Sequence, residues 1–426
     1  MSAPPSGPPP GWVDEPIRIE PPRPDWPARF EAERQALEAA IGPWATGGIH
    51  HVGSTAVPGL DAKPVIDILV GVDDLESSRA CFGLLAQLGY LHAPYLPDEM
   101  HWFCKPDPAR RTHHLHLVPA GSQRFADELA FRDHLRGMPG AAAEYAALKR
   151  RLAGEHPDDR EAYTAAKAAF VADALALRTM LGSLARYNAA QAGTSPGGAV
   201  LRWPGVVAGL TPASPGRSLV NAVAFTSTPA LRAVLPDLDA AYRGAGVAAW
   251  TVWVPETERQ LKADLAAAGH RFDGAPVGMH ARLPVAAPAA AAAAGLECRE
   301  AASAAVLAPL NDRGYGLAHG TFAPAISGMA PPETRVYVGA IAGQAATGCV
   351  LVEGDGDANV GLVATLPEHQ RQGHASHVLA FALAAAQARG CRTATLQASK
   401  AGAPVYARLG FRGLGALELW ERRRPG

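Results

Sequence analysis

Residues 360–412 constrain this chain more than any other stretch, because a strand, a glycine-containing turn, a helix and a second strand follow in unbroken order. The apolar run Val360-Gly361-Leu362-Val363-Ala364-Thr365-Leu366 has strand character and stops at Pro367, which has no N–H to continue a ladder. Gln370-Arg371-Gln372-Gly373-His374-Ala375 then opens an alanine- and leucine-rich stretch reaching Arg389. Its apolar positions Val378, Leu379, Phe381, Ala382 and Ala385 keep helical spacing. Gly373 and Ala375 keep the turn small, so N–H groups at the helix start can approach a phosphate closely. A pyrophosphate is the natural guest of such a helix N-terminus.

Leu366-Pro367-Glu368-His369 precedes this loop, residues 393–397 read as the next strand, and Ala403-Pro404-Val405-Tyr406-Ala407-Arg408-Leu409-Gly410-Phe411 closes the pattern. Together these pieces resemble the GNAT acetyltransferase family, whose pyrophosphate loop reads Gln/Arg-x-x-Gly-x-Gly/Ala. The resemblance implies acetyl-CoA as cofactor, held by Gln370, Arg371, Gln372, Gly373, His374 and Ala375 and by the strand backbone at Val363, Ala364 and Thr365. It also implies that Tyr406, the tyrosine before Leu-Gly-Phe, protonates the departing CoA thiolate, and that the acceptor is a small-molecule amine. Glu353 ranks first as general base, with Asp355 and Asp357 read as hairpin-turn residues. Tyr315 matches the family's acceptor-side loop by position.

The whole chain, at 426 residues, has room for two or three cores. A net charge of -1 gives no electrostatic reason to expect nucleic acid or an anionic membrane surface as partner. No uninterrupted apolar segment of about 20 residues suggests a membrane span. Cys81, Cys104, Cys298, Cys349 and Cys391 stand far apart, which suits a reducing cytoplasm. Segments rich in Pro, Gly, Ser and Ala divide the sequence. They suggest a disordered tail at 1–14, a module at 15–183, a linker at 184–199, a middle module at 200–283, an Ala/Pro linker at 284–295 and a C-terminal module at 296–426.

In the first module, Gly53-Ser54 begins a tight turn suited to a phosphate, and Asp67 interrupts the otherwise apolar strand 65–70. A carboxylate there is costly unless it is paired or coordinates a metal. Gly-Ser followed by such a strand resembles the nucleotidyltransferase superfamily. The pattern resembles its GrpB branch more closely across residues 17–178, through Pro24-Asp25-Trp26, residues 111–118, Phe131-Arg132-Asp133-His134 and the series Tyr145, Leu148, Lys149, Tyr163 and Lys167. Leu69 occupies the position of a second carboxylate. Two readings stay open: metal-dependent nucleotidyl transfer with Mg2+ at Asp67 aided by His114 and His116, or binding of a nucleotide or phosphorylated ligand without catalysis. His51, Gly53, Ser54, Lys63, Lys105 and Arg111 are the further ligand candidates.

The middle module reads strand, helix, strand, helix, strand over 218–283, lacks the phosphate loop, and resembles a degenerate GNAT half. Asn221, Trp250 and Trp253 stand out within it. The fold class expected is α/β (α+β): a nucleotidyltransferase-like mixed sheet with helices, followed by a tandem GNAT-type fold. A sensor that binds acyl-CoA and nucleotide without turnover is the competing function, and a homodimer is compatible with either.

Overall fold

A computed structural model of the chain describes residues 16–288, 295–332 and 334–424. The expected tail 1–14 and the centre of the Ala/Pro tract lie outside these residues. The chain divides into two compact units with the boundary between Leu175 and Ala176.

The first unit contains α1 (Trp26–Ile41), β1 (Ile49–Val52), β2 (Ile66–Val72), α2 (Leu75–Ser78), α3 (Phe82–Gln87), β3 (Leu91–Ala93), β4 (His101–Asp107), β5 (Arg110–Pro119), α4 (Gln123–Gly137) and α5 (Pro139–Glu155). The beginning of α6 (Arg160–Thr194) also belongs to it. The strands form one sheet in the order β1-β2-β5-β4-β3. Only the β2–β5 pair is parallel, so the sheet is mixed. β2 is apolar on both faces because both are covered. Ile66, Ile68 and Val70 pack with Trp26, Leu37 and Ile41 of α1 on one side. Leu69 packs with Val52, Met100, Val118 and Phe125 on the other. Asp67 shares the Leu69 side by the two-residue period of a strand.

The second unit holds the rest of α6, then β6 (Ala199–Trp203), β7 (Val206–Leu210), β8 (Ala222–Phe225), α7 (Thr228–Gly244), β9 (Ala249–Pro255), α8 (Arg259–Ala267), β10 (Arg271–Gly274) and β11 (Val277–Arg282). It continues with β12 (Leu296–Ala301), α9 (Ala308–Gly314), α10 (Ala323–Ile326), β13 (Arg335–Ile341), β14 (Gln344–Gly354), β15 (Asp357–Thr365), α11 (His374–Ala388), β16 (Thr393–Ala398), α12 (Ala403–Arg408) and β17 (Arg412–Arg423). They build a 12-stranded sheet ordered β12-β13-β14-β15-β16-β11-β17-β9-β8-β7-β6, with β10 pairing β17 off the main path.

The expected α/β fold holds, and the middle and C-terminal modules expected in tandem are joined in one sheet. β11, the last strand of the middle module, lies between β16 and β17 of the C-terminal module. The second part of β17 in turn pairs with β9 of the middle module, from Leu417↔Pro255 to Arg423↔Ala249. The two halves therefore share one sheet, and neither keeps its own last edge.

The expected linker 184–199 is corrected as well, since α6 runs to Thr194 and β6 begins at Ala199. Leu184, Asn188, Ala189, Gln191 and Ala192 are buried. Small side chains suggested a linker, but here they permit close packing: a Cβ on Gly209 of β7 would meet the Asn188 carbonyl at 2.8 Å and the Ala192 methyl at 3.0 Å. α6 also corrects the expectation about membrane spans. By length and composition alone it is the described helix that could cross a bilayer. Tyr163, Met180, Leu181 and Leu184 along it are buried within the protein, and a third of its most apolar window is buried.

In the middle module the expected strand 218–225 shortens to β8, because Ser218–Val220 is a 3-10 turn. Asn221 explains the change: its side chain accepts from Thr211 N–H at 2.6 Å and donates to the Ser214 and Arg217 carbonyls at 3.0 Å each. Trp250 is a core residue stacked on Tyr242 at 4.6 Å, and Trp253 is half-buried.

Candidate functional sites

In the second unit, β15 and β16 run parallel and pair from Asp357↔Thr393 to Val360↔Leu396. Beyond Val360 the pairing stops, and β15 continues alone on that side through residues 361–365. β14 explains the divergence: its ladder with β15 slips between Gly348 and Val350, opposite Leu362, whose φ of 52° marks a bulge. The gap below the bulge is held shut by Asp357. This buried carboxylate accepts from Ser183 Oγ at 2.6 Å, Thr393 Oγ1 at 2.7 Å and Thr395 Oγ1 at 2.7 Å. Asp357 is thus no ordinary turn residue, contrary to the expectation.

Val363, Ala364 and Thr365 line the open stretch, and the loop 370–375 follows directly. Their carbonyls are held by side chains: Tyr315 Oη donates to Val363 at 3.2 Å, Thr347 Oγ1 to Ala364 at 3.0 Å and Gln370 Nε2 to Thr365 at 3.2 Å. Arg371 and Gly373 adopt φ of 61° and 82°, so the loop turns through two left-handed residues before α11. Gln372 Nε2 donates to the Glu368 carbonyl at 3.1 Å, and Gln372 Oε1 meets His374 Nε2 at 3.1 Å. No side chain caps α11. Its first intrahelical bond is His377 N–H to Gly373, which leaves the N–H groups of His374, Ala375 and Ser376 ahead of it. His374 Nδ1 is buried without a partner. An uncapped helix start and an orphaned buried nitrogen fit an anionic group such as a pyrophosphate.

The corresponding turn in the middle module does not. There β8 and β9 are also parallel, but Ser227 caps α7 by accepting from Ala230 N–H at 3.3 Å. Pro229 stands in the first turn of that helix and brings no N–H.

Tyr406 sits half-buried on α12, its ring edge-on to Phe411 at 6.1 Å. Burial raises its phenol pKa above the ordinary value, and the nearby Tyr315 phenol and Cys349 thiol raise it further. Tyr315 is also felt by Tyr187, whose own pKa burial raises. Tyr187 lies across Gly361, where any Cβ would strike its ring. Three phenols therefore gather where the strands part, and Tyr187 came from the segment read as a linker. Only its isolation as a large aromatic among small residues pointed to it. Glu353 is not brought here. It lies near the β14–β15 turn, in register with Ala358, and is clamped by Arg389, whose Nε donates at 3.0 Å. Its assignment as general base is corrected: five residues of strand, about 16 Å, separate that register from Val363.

In the first unit Asp67 and His114 are register partners on β2 and β5, and His114 Nδ1 meets Asp67 Oδ1 at 2.8 Å. Burial opposes ionisation of Asp67, but His114 and neighbouring cations bring its pKa below the ordinary value. Gly53, with φ of 68°, lies so close that a Cβ would overlap the Asp67 carboxylate. Gly53→Ala should therefore cost about 1–3 kcal/mol, read as a lower urea midpoint for this unit. Ser54 Oγ accepts from Lys149 Nζ at 2.8 Å. Lys63 Nζ lies 4.3 Å from the Tyr163 ring centre, and Lys167 Nζ lies 4.2 Å from it. Burial and neighbouring cations push the lysine pKa values down, to about 7 for Lys63 and Lys149 and about 8 for Lys167. Arg111 lies over Trp102, which packs on His114. His116 points to Glu128 at 3.2 Å.

Two candidates fall away. Lys105 pairs in register with His113, on the face opposite His114, and binds Glu33 at 2.6 Å. His51 stacks on Phe30 at 4.6 Å with Nε2 on Thr55 Oγ1, and burial pushes its pKa down to about 4, so it brings no cationic charge at neutral pH. Mg2+ does not fit Asp67 either. A hard cation asks for several oxygen ligands, whereas one Asp67 oxygen is bonded to His114, Gly53 lies against the other, and the nearby lysines add positive charge. Among the described residues no group of three or more His, Cys, Asp or Glu could hold a metal. Lys149 and Lys167 were in the sequence pattern but were not read as site residues, since their elements meet β2 only in the folded chain.

A family model described as GrpB protein matches residues 16–177, and one described as Acetyltransferase (GNAT) domain matches residues 332–413. A UPF0157 protein of Deinococcus radiodurans is 41% identical over 147 residues, covering 34% of this chain and 74% of its own length. A dephospho-CoA kinase of Mycolicibacterium paratuberculosis is 32% identical over 186 residues, covering 37% of this chain and 45% of its own length. Across curated relatives the chain spans from 41% to 89% of their lengths. Among solved structures, a GCN5-related N-acetyltransferase from Kribbella flavida is 19% identical with a TM-score of 0.40, covering 57% of this chain and 95% of that one. Through residues 16–177 the chain belongs to the GrpB family, and it joins that domain to an acetyltransferase (GNAT) domain at residues 332–413.

Proposed function

We propose that this protein is an acetyl-CoA-dependent N-acetyltransferase acting on a small-molecule amine in the cytoplasm, and that its GrpB unit holds a nucleotide or other phosphorylated ligand. The observation that carries the first part is the parting of β15 from β16 after Val360, directly ahead of an uncapped helix start. Residues 370–375 and the N–H groups of α11 would hold the pyrophosphate, and residues 363–365 would flank the pantetheine arm. When bound, acetyl-CoA supplies an activated acyl group as a thioester. Tyr406 keeps its proton at neutral pH and is the proton source for the departing thiolate. The base that takes the amine's proton is not Glu353, and a water chain serves that role in this reading.

The reading of the first unit is supported by the lysines around Asp67 and by the likeness to a protein named for action on dephospho-CoA. Calorimetry with acetyl-CoA tests the first part. The intact chain is expected to bind at micromolar concentration, and Gly373→Glu to lose at least about 100-fold, because a carboxylate would enter the phosphate cradle. No binding by the intact chain would remove the acetyltransferase reading.

A further inference from the structure

Resting on the reading that the GrpB unit holds a phosphorylated ligand, the side chains around Asp67 narrow what that ligand is. Lys63 precedes β2, Lys149 comes from α5 and Lys167 from α6, and each feels the Asp67 carboxylate. Lys149 is 2% exposed and held on Ser54 Oγ. Lys63 and Lys167 rest on the Tyr163 ring, and the Lys149 ammonium lies 4.7 Å from the Tyr145 ring centre. The carboxylates nearby are already engaged, Asp67 by His114 and Asp61 by Arg150. From the other elements packed here, Arg111, Arg160 and His116 add further positive or ionisable nitrogen. Three ammoniums, Lys149 buried and Lys63 and Lys167 half-buried, sharing one carboxylate are costly until an anion joins them.

We infer that the cluster of Lys63, Lys149 and Lys167 beside Asp67 binds a phosphomonoester, a dianion, in preference to a singly charged phosphodiester. Two or three ammoniums are needed to balance two charges, and the three terminal oxygens of a monoester offer each lysine its own acceptor. The depressed lysine pKa values set a signature. Near pH 8 Lys63 and Lys149 are largely neutral, so a dianion must draw protons in as it binds. Near pH 6.5 they are already charged and little uptake remains. Below about pH 6 the monoester itself gains a proton and binding weakens.

Calorimetry on the intact chain with AMP, cyclic AMP and inorganic phosphate, at pH 8 in two buffers of different ionisation enthalpy, tests this. AMP or inorganic phosphate should bind with proton uptake, and cyclic AMP at least about tenfold more weakly. If phosphate matches AMP, the phosphoryl group alone is recognised; if AMP is tighter, the ligand is an ester. Lys167→Met should lose about tenfold or more with circular dichroism unchanged, and Lys149→Met should lose at least as much affinity together with some stability, because it also gives up hydrogen bonds to Ser54 Oγ and the Asp61 carbonyl. Equal affinity for AMP and cyclic AMP, or heats independent of buffer, would overturn the monoester assignment while leaving a phosphorylated ligand in place. Binding of none of the three at millimolar concentration would overturn both.

Discussion

Tyr406→Phe is expected to lower kcat for acetyl transfer by about 10²-fold or more while leaving the affinity for acetyl-CoA nearly unchanged. The substitution removes one oxygen from a half-buried ring and keeps its packing against Phe411. The loss therefore belongs to proton donation and not to binding. Steady-state rates with the acceptor found by screening, set beside calorimetric affinities, separate the two. The pH dependence has a defined sign. Burial, with Tyr315 and Cys349 beside it, raises the Tyr406 pKa above the ordinary phenol value of about 10. The acid therefore stays protonated throughout the neutral and mildly alkaline range, and wild-type kcat should show no alkaline fall below about pH 9 from this group. A Phe variant that turns over at the wild-type rate would show that solvent protonates the thiolate instead.

Asp357→Ala is expected to destabilise the second unit by about 2–4 kcal/mol. The Asp357 carboxylate is fully buried and takes hydrogen bonds from α6 through Ser183 and from β16 through Thr393 and Thr395. Removing it takes the carboxylate acceptor from the buried hydroxyls of Ser183 and Thr395 and the half-buried hydroxyl of Thr393, and unlocks the closed half of the β15–β16 pair. Urea unfolding followed by circular dichroism reads the loss. Asp357→Asn, which keeps an acceptor oxygen and the shape, should fall between the two. Acetyl-CoA affinity should drop along with stability, because the same contacts decide where the two strands begin to part. An unchanged midpoint in the alanine variant would mean that the helix is held by its apolar side alone.

Much of the phosphate loop was legible because it is local. Gly373 and Ala375, the proline that ends the strand and the helical spacing of Val378, Leu379 and Ala382 all act within about twenty residues of one another. Both domain families were legible for the same reason, as ordered runs of residues. In the first unit the alternation of His114 and His116 put the two on one face of their strand, since side-chain direction along a strand has a period of two, while the parallel pairing of β2 with β5 made that the face of Asp67.

What only the tertiary structure decided is non-local. Glu353 and Asp357 are four residues apart, yet one is tied to Arg389 near a turn and the other is buried among three hydroxyls from α6 and β16. The exchange that seats β11 between β16 and β17 depends on the register of strands over 100 residues apart, which leaves no periodic mark on either segment. Residues 184–194 carry the composition of a linker and became helix because Gly209 leaves room for Asn188 and Ala192. Lys149 and Lys167 joined Asp67 by the packing of α5 and α6. Composition and spacing determine what a segment can form by itself, while a charged cluster or a shared sheet edge exists only once distant segments exclude water from the same place.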